Sequence, residues 1–205
     1  SAVERALLDH PHVAVVAMVF HETSTGMINP VKEIGALCQK YARRFYVDAV
    51  SAAAGERINL VEDHIDLITS VGGKCLGAFP GAAYICARES LLMELKEEQC
   101  KNVYLNLYRH YHQAFTAHQT PNTPNVTLFW ALNKALSNIL DRGVDVWIDQ
   151  HAELAKMIRN GVEKLGLRFL LPAEYRSNTV TSVFLPDSIA VQSFLNAMEH
   201  RGYVL

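Results

Sequence analysis

The chain has 205 residues, of which 50% are hydrophobic and 20% charged, and its formal net charge is −2. This composition excludes a disordered tail, because the apolar content is sufficient for a core. The balanced charge argues against a nucleic-acid or anionic-membrane binder, and the apolar stretches fall short of the about 20 residues of a membrane-spanning helix. We therefore expect a cytoplasmic protein with neither a nucleic-acid nor a membrane partner.

The first part of the chain alternates strand-like and helix-like patterns. Residues 12–20 form an almost continuous apolar run rich in β-branched side chains, which predicts a strand buried on both faces. The polar turn 21–26 follows, and Pro30 then opens a helical pattern of apolar residues. A second strand over residues 44–47 ends in Asp48. This order predicts a βαβ unit of a parallel sheet, with the polar turn and Asp48 at the same carboxyl edge.

From residue 66 the pattern adds two strands and then turns helical. Residues 66–70 and 82–87 continue the sheet, and a long helix over 144–165 leads into a second, shorter set of strands and helices. This order predicts an α/β fold with a mostly parallel sheet flanked by helices. We place a large domain at residues 1–150 and the start of a smaller α+β domain at residues 151–205. The remaining predicted elements are helices over 89–97, 126–141 and 190–200, and strands over 169–171, over 179–185 and from Tyr203 onward.

A lysine that follows a strand and a glycine pair is the most informative feature of the sequence. Lys74 comes after Gly72 and Gly73, and Asp48 ends an earlier strand at the edge where α/β sheets bind ligands. Pyridoxal phosphate requires such a pair, a lysine for the Schiff base and a carboxylate on the ring nitrogen. An exposed lysine in a glycine turn and an aspartate that caps a helix explain the same spacing, so both interpretations stay open at this point.

Three segments resemble the class V aminotransferases of pyridoxal-phosphate fold type I in order and spacing. They are residues 21–30 (HETSTGMINP), 47–51 (VDAVS) and 70–81 (SVGGKCLGAFPG). Within that class, the first and third segments are most similar to the 2-aminoethylphosphonate:pyruvate transaminases rather than to the alanine:glyoxylate transaminases. The resemblance implies a pyridoxal-phosphate enzyme of fold type I that moves an amino group from 2-aminoethylphosphonate, or a similar amine donor, to pyruvate, a 2-oxo acid acceptor, by a ping-pong mechanism.

The resemblance also implies roles for individual residues. Lys74 matches the Schiff-base lysine, which is also the base that moves the substrate proton, and Asp48 matches the acid on the pyridine nitrogen. Val50 matches an apolar side chain packed against the ring, and Thr23 matches a hydroxyl near the ring oxygen and the substrate. Ser70 is a further candidate on the phosphate side of the cofactor.

Thr123 is a candidate contact between subunits, and the resemblance also implies family segments beyond both ends of the chain. Thr123 matches a threonine that reaches the cofactor phosphate of the neighbouring subunit, which implies a homodimer with shared active sites, but a helix N-cap ahead of Val126 explains it equally well. The family's phosphate-binding turn is expected upstream of Ser1 and its carboxylate-binding arginine beyond Leu205. We therefore expect a piece of a longer protein, in which Arg176 is a candidate for holding the substrate's carboxylate or phosphonate.

Two alternatives to the phosphonate transaminase stay open. One is an alanine or serine transaminase with glyoxylate or pyruvate as acceptor, and the other is a non-catalytic fragment or pseudoenzyme that acts in subunit assembly. No metal site is expected, because His110, His112 and His118 lack a further ligand in register and the four cysteines form no CxxC pair. Cys75, next to Lys74, is interpreted as a packing residue.

Overall fold

The structure, a computed structural model, describes residues 1–95 and 100–204. It contains short strands in the first and last parts of the chain and helices throughout. The strands are β1 (Val15–Val19), β2 (His21–Glu22), β3 (Met27–Ile28), β4 (Arg44–Asp48), β5 (Leu67–Val71), β6 (Ala83–Ala87), β7 (Arg168–Phe169) and β8 (Val183–Phe184). The helices are α1 (Ala2–Asp9), α2 (Val31–Lys40), α3 (Glu89–Glu94), α4 (Leu107–Ala117), α5 (Val126–Arg142), α6 (Val144–Lys164) and α7 (Val191–Glu199).

A four-stranded sheet in the order β1-β4-β5-β6 forms the centre of the molecule. The first three strands are parallel, and β6 runs antiparallel to β5. Asp48 lies opposite Val19 on one side and opposite Thr69 on the other. The carboxyl ends of β1, β4 and β5 therefore meet at one edge, and the predicted α/β fold with a mostly parallel sheet is confirmed.

The main core lies where β4 packs against α2. Phe45 and Val47 are fully buried on β4, and Ile34 and Cys38 of α2 pack in the same cluster with Ile68 of β5. Each large apolar side chain removed from water contributes about 1.5–3 kcal/mol. This packing holds β4 and β5 firmly, and with them the sheet edge at which both strands end.

The prediction that the first strand is buried on both faces is wrong. Val15 and Val19 of β1 are 54% and 41% exposed. Among the described residues β1 pairs only with β4, so it is an edge strand, and the observed strand is also shorter than residues 12–20. The polar turn that follows it is a small antiparallel hairpin of β2 and β3, which the sequence pattern does not predict.

Other differences concern the helices and the last strands. Helices α1 and α4 are not predicted from the sequence, although Ser1 and Asn106 cap them by accepting hydrogen bonds from Glu4 N and Arg109 N. The strands predicted over 169–171 and 179–185 are only two residues each. Tyr203 and its neighbour in the described range form no strand.

The end of one predicted helix and the predicted domain boundary are not tested by the described elements. The helix predicted over residues 89–97 is observed as α3, and the end predicted for it lies outside the described residues. The predicted domain boundary at residue 150 falls inside α6 and stays a prediction. In the described part of the chain, no helix combines the length and the apolar character needed to cross a membrane.

Candidate functional site

An open cavity of about 600 Å³ lies at the carboxyl edge of the parallel strands. His21 and Thr23 follow β1, Ser51 follows β4 and Lys74 follows β5, so residues that are distant in sequence converge there. Residues 178–181, which we call the return segment, and α6 complete the cavity. The remaining lining residues are Cys75, His151, Leu154, Ala155 and Ile158.

The loop that carries Lys74 is a tight turn between β5 and β6. Ala78 N donates a hydrogen bond to Gly72 O at 2.9 Å, which folds the loop back on itself. A Cβ at Gly73 would lie 2.8 Å from Pro80 Cα, so a side chain there would displace the loop. Lys74 is exposed and lines the cavity. The close packing of the loop therefore depends on glycine and keeps Lys74 at the sheet edge.

A buried histidine and two hydroxyls form a hydrogen-bonded group in the cavity. Thr23 Oγ1 and Ser51 Oγ are hydrogen-bonded to each other, and His21 Nδ1 donates to Ser51 O at 2.8 Å. Because a carbonyl oxygen only accepts, this bond places a ring proton on Nδ1. His21 is buried, and its Nε2 has no hydrogen-bond partner among the described residues. Nε2 is enclosed by protein atoms, so the bond from Nδ1 to Ser51 O is what orients the ring.

Asp48 is held at the end of β4 by the backbone that follows it. Its Oδ1 accepts a hydrogen bond from Val50 N at 2.9 Å. The chain turns after Asp48 and forms no helix there, so the helix-cap interpretation of this residue is wrong. Asp48 and Val50 are not among the lining residues of the cavity, whereas the next residue, Ser51, is. The carboxylate is therefore fixed beside the cavity at the predicted edge of the sheet.

Two other predicted site residues lie away from the cavity lining. Ser70 is buried, and its Oγ donates to Ala49 O at 3.1 Å, which ties β5 to the end of β4. Thr123 is exposed in the loop between α4 and α5. Of the predicted residues, only Thr23 and Lys74 are brought together in the cavity lining. The roles predicted for Ser70 and Thr123 stay predictions.

Arg176 is engaged within the C-terminal part of the chain. Its Nε donates to Leu171 O at 2.8 Å, and the guanidinium carbon lies 3.9 Å from the centre of the Phe169 ring. This is the geometry of a cation–π contact. Arg176 does not line the cavity, so a role in binding the substrate's acid group would require its side chain to move.

Glu56 and Asn178 shape the cavity but are not predicted from the sequence. Glu56 is buried and accepts hydrogen bonds from Asn178, the first residue of the return segment. Burial raises the pKa of the Glu56 carboxyl to about 7, although the bond from Asn178 and the charge of Arg159 act in the opposite direction. An acidic residue after three alanines and a glycine matches no motif, so only the structure identifies it.

Cys75 also lines the cavity, next to Lys74. Its thiol donates to Ser51 O at 3.8 Å, and Trp147 Nε1 on α6 donates to Cys75 O at 3.2 Å. Burial raises the pKa of the thiol, so the thiolate, which is the reactive form, is disfavoured. These contacts are those of a packing residue that joins the Lys74 loop to α6.

The histidines singled out in the sequence lie on and after α4. His110 Nε2 is hydrogen-bonded to Tyr104 O at 2.9 Å, the ring of His112 lies 5.6 Å from that of Tyr108, and His118 ends the helix with a left-handed backbone. Within residues 1–95 and 100–204, no three His, Cys, Asp or Glu side chains are grouped as they would be around a metal ion.

A comparison with known proteins identifies the family. A sequence model described as aminotransferase class-V matches residues 2–204. The chain belongs to this family. The predictions of fold type I and of pyridoxal phosphate as the family's cofactor are thereby confirmed.

Individual relatives extend the comparison. The chain is 36% identical over 203 residues to an uncharacterized aminotransferase of Methanocaldococcus jannaschii, a match that covers 98% of this chain and 52% of that protein. It is 31% identical over 206 residues to 2-aminoethylphosphonate-pyruvate transaminase 1 of Polaromonas sp., covering 99% and 55%. The solved alanine-glyoxylate aminotransferase of Nostoc sp. matches with a TM-score of 0.88 and 26% identity, covering 97% and 53%. The chain spans about half the length of the curated relatives it matches.

The residues around the cavity fit the family's cofactor. A volume of about 600 Å³ is in the range of small-molecule sites. Lys74 supplies an amine, and the Thr23 and Ser51 hydroxyls supply polar contacts. The donor set therefore includes the chemistry that the aldehyde and the ring substituents of pyridoxal phosphate require.

Proposed function

We propose that this chain holds the cofactor and the catalytic lysine of a pyridoxal-phosphate-dependent aminotransferase. The observation that carries the proposal is the position of Lys74, which lines the cavity together with the Thr23 and Ser51 hydroxyls at the carboxyl edge of the sheet. The substrates are an amine donor and a 2-oxo acid acceptor. The two substrates would react in turn at the same site, which is the ping-pong order expected of a group transfer by covalent catalysis.

The residues predicted for the site have the following roles in this proposal, which are assigned through the family resemblance. When bound, pyridoxal phosphate supplies an electron sink for the carbon that carries the amino group. Lys74 Nζ holds the cofactor between turnovers and moves the proton at the substrate carbon during them. Asp48 would keep the pyridine nitrogen of the bound cofactor protonated, and Val50 would supply an apolar contact to its ring. Thr23 offers its hydroxyl to the ring oxygen and the substrate, and Ser70 supports the phosphate side.

The amine donor that we favour is 2-aminoethylphosphonate, with pyruvate as acceptor. The segment 21–30 and the transaminase of that name in Polaromonas sp., at 31% identity, support this choice. Alanine or serine with glyoxylate is the second candidate, supported by the likeness to the alanine-glyoxylate aminotransferase of Nostoc sp.. Turnover of each donor by the full-length protein separates the two. A higher kcat/KM for alanine with glyoxylate than for 2-aminoethylphosphonate with pyruvate would exclude the first choice.

We also propose a cytoplasmic homodimer with shared active sites, built from a large domain at residues 1–150 and a smaller one from residue 151. Thr123 is exposed, and so are Phe129 and Trp130 on the adjacent face of α5. Exposed aromatic side chains next to one another are typical of an interaction surface. Light scattering of the full-length protein is expected to give twice the mass of one chain, and a monomer would contradict the dimer.

The experiment that tests the proposed function traps the cofactor on its lysine. The full-length protein is mixed with pyridoxal phosphate and reduced with borohydride, and the labelled peptide is identified by mass spectrometry. We expect the label on Lys74. The variant Lys74→Ala should lose both the label and the visible absorbance band, whereas Lys134→Ala, which removes an exposed lysine of α5, should keep both.

Two other results of the trapping experiment would contradict the proposed function. Label spread over surface lysines of the wild-type protein would overturn the proposal. A label on Lys74 without turnover of any amine donor would support the non-catalytic role in assembly instead.

A further inference from the structure

A buried carboxylate joins two parts of the chain that are distant in sequence. Glu56 is 9% exposed, and its Oε1 accepts a hydrogen bond from Asn178 N. Its Oε2 accepts a second bond from Asn178 Nδ2 at 2.9 Å, and the same Nδ2 also donates to Gly55 O at 3.1 Å. We call this set of bonds the Glu56–Asn178 clasp. It connects the turn after β4 with the C-terminal part of the chain.

Asn178 is the first residue of the return segment, all of which lines the cavity with Lys74. The segment lies very close to the turn after β4 and to the turn between β2 and β3. A Cβ at Gly55 would be 2.7 Å from Thr179 Cγ2, and a Cβ at Gly26 would be 2.9 Å from Val180 O. Glycine at these two positions permits the close approach that the clasp fixes.

Arg159 on α6 contacts the return segment at its far end and the residue directly before it. Its guanidinium donates to Ser177 O and, at 3.3 Å, to Thr181 Oγ1. The segment therefore lies between an arginine on α6 and a carboxylate from the sheet edge. The positive charge of Arg159 also acts on Glu56 and favours its ionised form.

We propose that Glu56 is a positioning residue, whose carboxylate keeps Asn178 and the return segment in place as the wall of the cavity beside Lys74. The inference rests on the proposed function of the cavity and adds a group that is not in contact with the reacting atoms. A loosened clasp leaves Lys74 unchanged but weakens the fit of the substrate. The KM for the amine donor should therefore rise more than kcat falls.

The strength of the clasp depends on ionisation. Both oxygens of ionised Glu56 accept, whereas the protonated form loses one acceptor to its own hydroxyl. The titratable and charged groups that act on Glu56 or feel its charge are Arg159 of α6 and the thiol of Cys75 in the Lys74 loop. Burial nevertheless raises the pKa of Glu56 to about 7, so the closed arrangement favours the neutral carboxyl. Opening of the clasp exposes the carboxyl and returns its pKa towards 4.5, so a rise in pH favours opening, and we expect the KM of the wild-type protein to rise as pH rises through neutrality.

Cys75 provides a readout that needs neither cofactor nor substrate. Its Sγ and Thr179 Cγ2 lie close to the same point, 2.9 and 2.7 Å from where a Cβ of Gly55 would be. Displacement of the return segment therefore uncovers this thiol. Cys38 is fully buried in the core and reports global unfolding, and Cys86 is exposed and reports the activity of the reagent.

The experiment measures alkylation by N-ethylmaleimide at each cysteine of the cofactor-free, full-length protein by mass spectrometry. We expect Asn178→Ala to raise the rate of alkylation at Cys75 about tenfold and to leave the rate at Cys38 unchanged. The reason is that the variant removes the two hydrogen bonds that Asn178 Nδ2 donates to Glu56 and Gly55. Asn178→Ala is the decisive variant, because it leaves the charge of Glu56 beside Cys75 in place. Glu56→Gln, which keeps one acceptor, should give about a threefold rise, and Glu62→Gln, at an exposed carboxylate, none.

Three results would overturn the inference. One is a rate at Cys75 in Asn178→Ala within twofold of the wild-type rate. The second is a parallel rise at Cys38, which would assign the clasp to global stability alone. If Asn178→Ala does not fold, the rates at Cys75 and Cys38 are compared in Glu56→Gln instead, whose side chain has the same volume. The third is an unchanged KM in Glu56→Gln with a pH profile like that of the wild type.

Failure of this inference is distinguishable from failure of the proposed function. The alkylation experiment uses cofactor-free protein, so it can succeed although trapping at Lys74 fails. Conversely, a label on Lys74 with unchanged reactivity of Cys75 in both clasp variants would leave the aminotransferase proposal intact. It would exclude only the positioning role of Glu56.

Discussion

Two of the walls of the cavity are held in place by different kinds of interaction. The sheet-edge wall consists of His21, Thr23, Ser51 and Lys74, and it stands on strand ends that are fixed by the backbone ladders of β1, β4 and β5. The return segment has no such ladder. It is held by the side chains of Glu56 and Arg159, by close packing against two glycines and by the buried hydroxyl of Ser177. The backbone of Ser177 is in turn bonded to Gly26 O at 2.9 Å.

This difference separates placement of the chemistry from adjustment of the fit. Hydrogen bonds between strands move only with the whole sheet, so Lys74 and Asp48 keep their positions when other parts of the molecule change. Side-chain contacts across a cavity can be lost one at a time. Changes in the sheet-edge wall should therefore affect the rate of the reaction, and changes around the return segment should affect affinity.

The largest effect is expected from a change of the reactive group in the sheet-edge wall. Lys74→Arg keeps the positive charge and the length of the side chain but cannot form the covalent bond to the cofactor. We expect kcat to fall by about 10³-fold or more. Steady-state kinetics of the full-length protein measures it, with Lys134→Arg as the matched control. A variant that retains a tenth of the wild-type kcat would exclude Lys74 as the catalytic group.

The next effect is a dependence of stability on pH that is centred on Glu56. Its pKa is raised from 4.5 to about 7 in the folded protein, so between these values the folded state binds more protons than the unfolded state. The contribution of Glu56 to the free energy of unfolding is therefore present at low pH and is lost as pH rises through about 7, by roughly 3 kcal/mol in total.

Chemical denaturation of the wild-type protein and of Glu56→Gln at several pH values measures this loss. The difference in unfolding free energy between the two should fall as pH rises across the window, because the glutamine does not titrate. A difference that stays constant between pH 4.5 and 7 would show that Glu56 titrates at its ordinary value.

The two walls also differ in how far the sequence predicts them. The sheet edge is predictable because β4 and β5 are short apolar runs, because Asp48 ends one of them and because Lys74 follows a glycine pair. These signals are local, and the family resemblance covers the same segments. The exposed face of β1 is not predicted, since burial of a strand's face depends on which elements pack over it and not on the strand's own residues.

The return segment is not predictable in the same way. Its central contact joins Glu56 and Asn178, which are 122 positions apart, and neither residue belongs to a recognised motif. The strand predicted over 179–185 is reduced to two residues, and its first three residues line the cavity instead of pairing with a strand. Periodicity describes regular backbone pairing and carries no information on such contacts.

A smaller effect is expected from filling the narrow space against the return segment. The Cβ of Gly55→Ala would lie 2.7 Å from Thr179 Cγ2 and 2.9 Å from Cys75 Sγ, so the segment must shift. We expect the KM for the amine donor to rise about tenfold, equivalent to about 1.4 kcal/mol, with kcat within threefold of wild type. Gly161→Ala on α6 is the matched control, since nothing lies within 4 Å of its added Cβ. A fall in kcat alone would contradict the division between the two walls.

The smallest effect is expected from the hydroxyl pair within the sheet-edge wall. Thr23→Val keeps the shape of the side chain, removes the hydrogen bond to Ser51 Oγ and leaves that buried oxygen without its partner. A net loss of about 1 kcal/mol is typical of such a bond, so the affinity for pyridoxal phosphate should fall about fivefold. Titration of the cofactor followed by absorbance measures the change, with Thr127→Val on the exposed start of α5 as control. Because Thr23 stands on the rigid wall, Cys75 should keep its wild-type rate of alkylation in this variant, and a faster rate would show that the two walls are not independent.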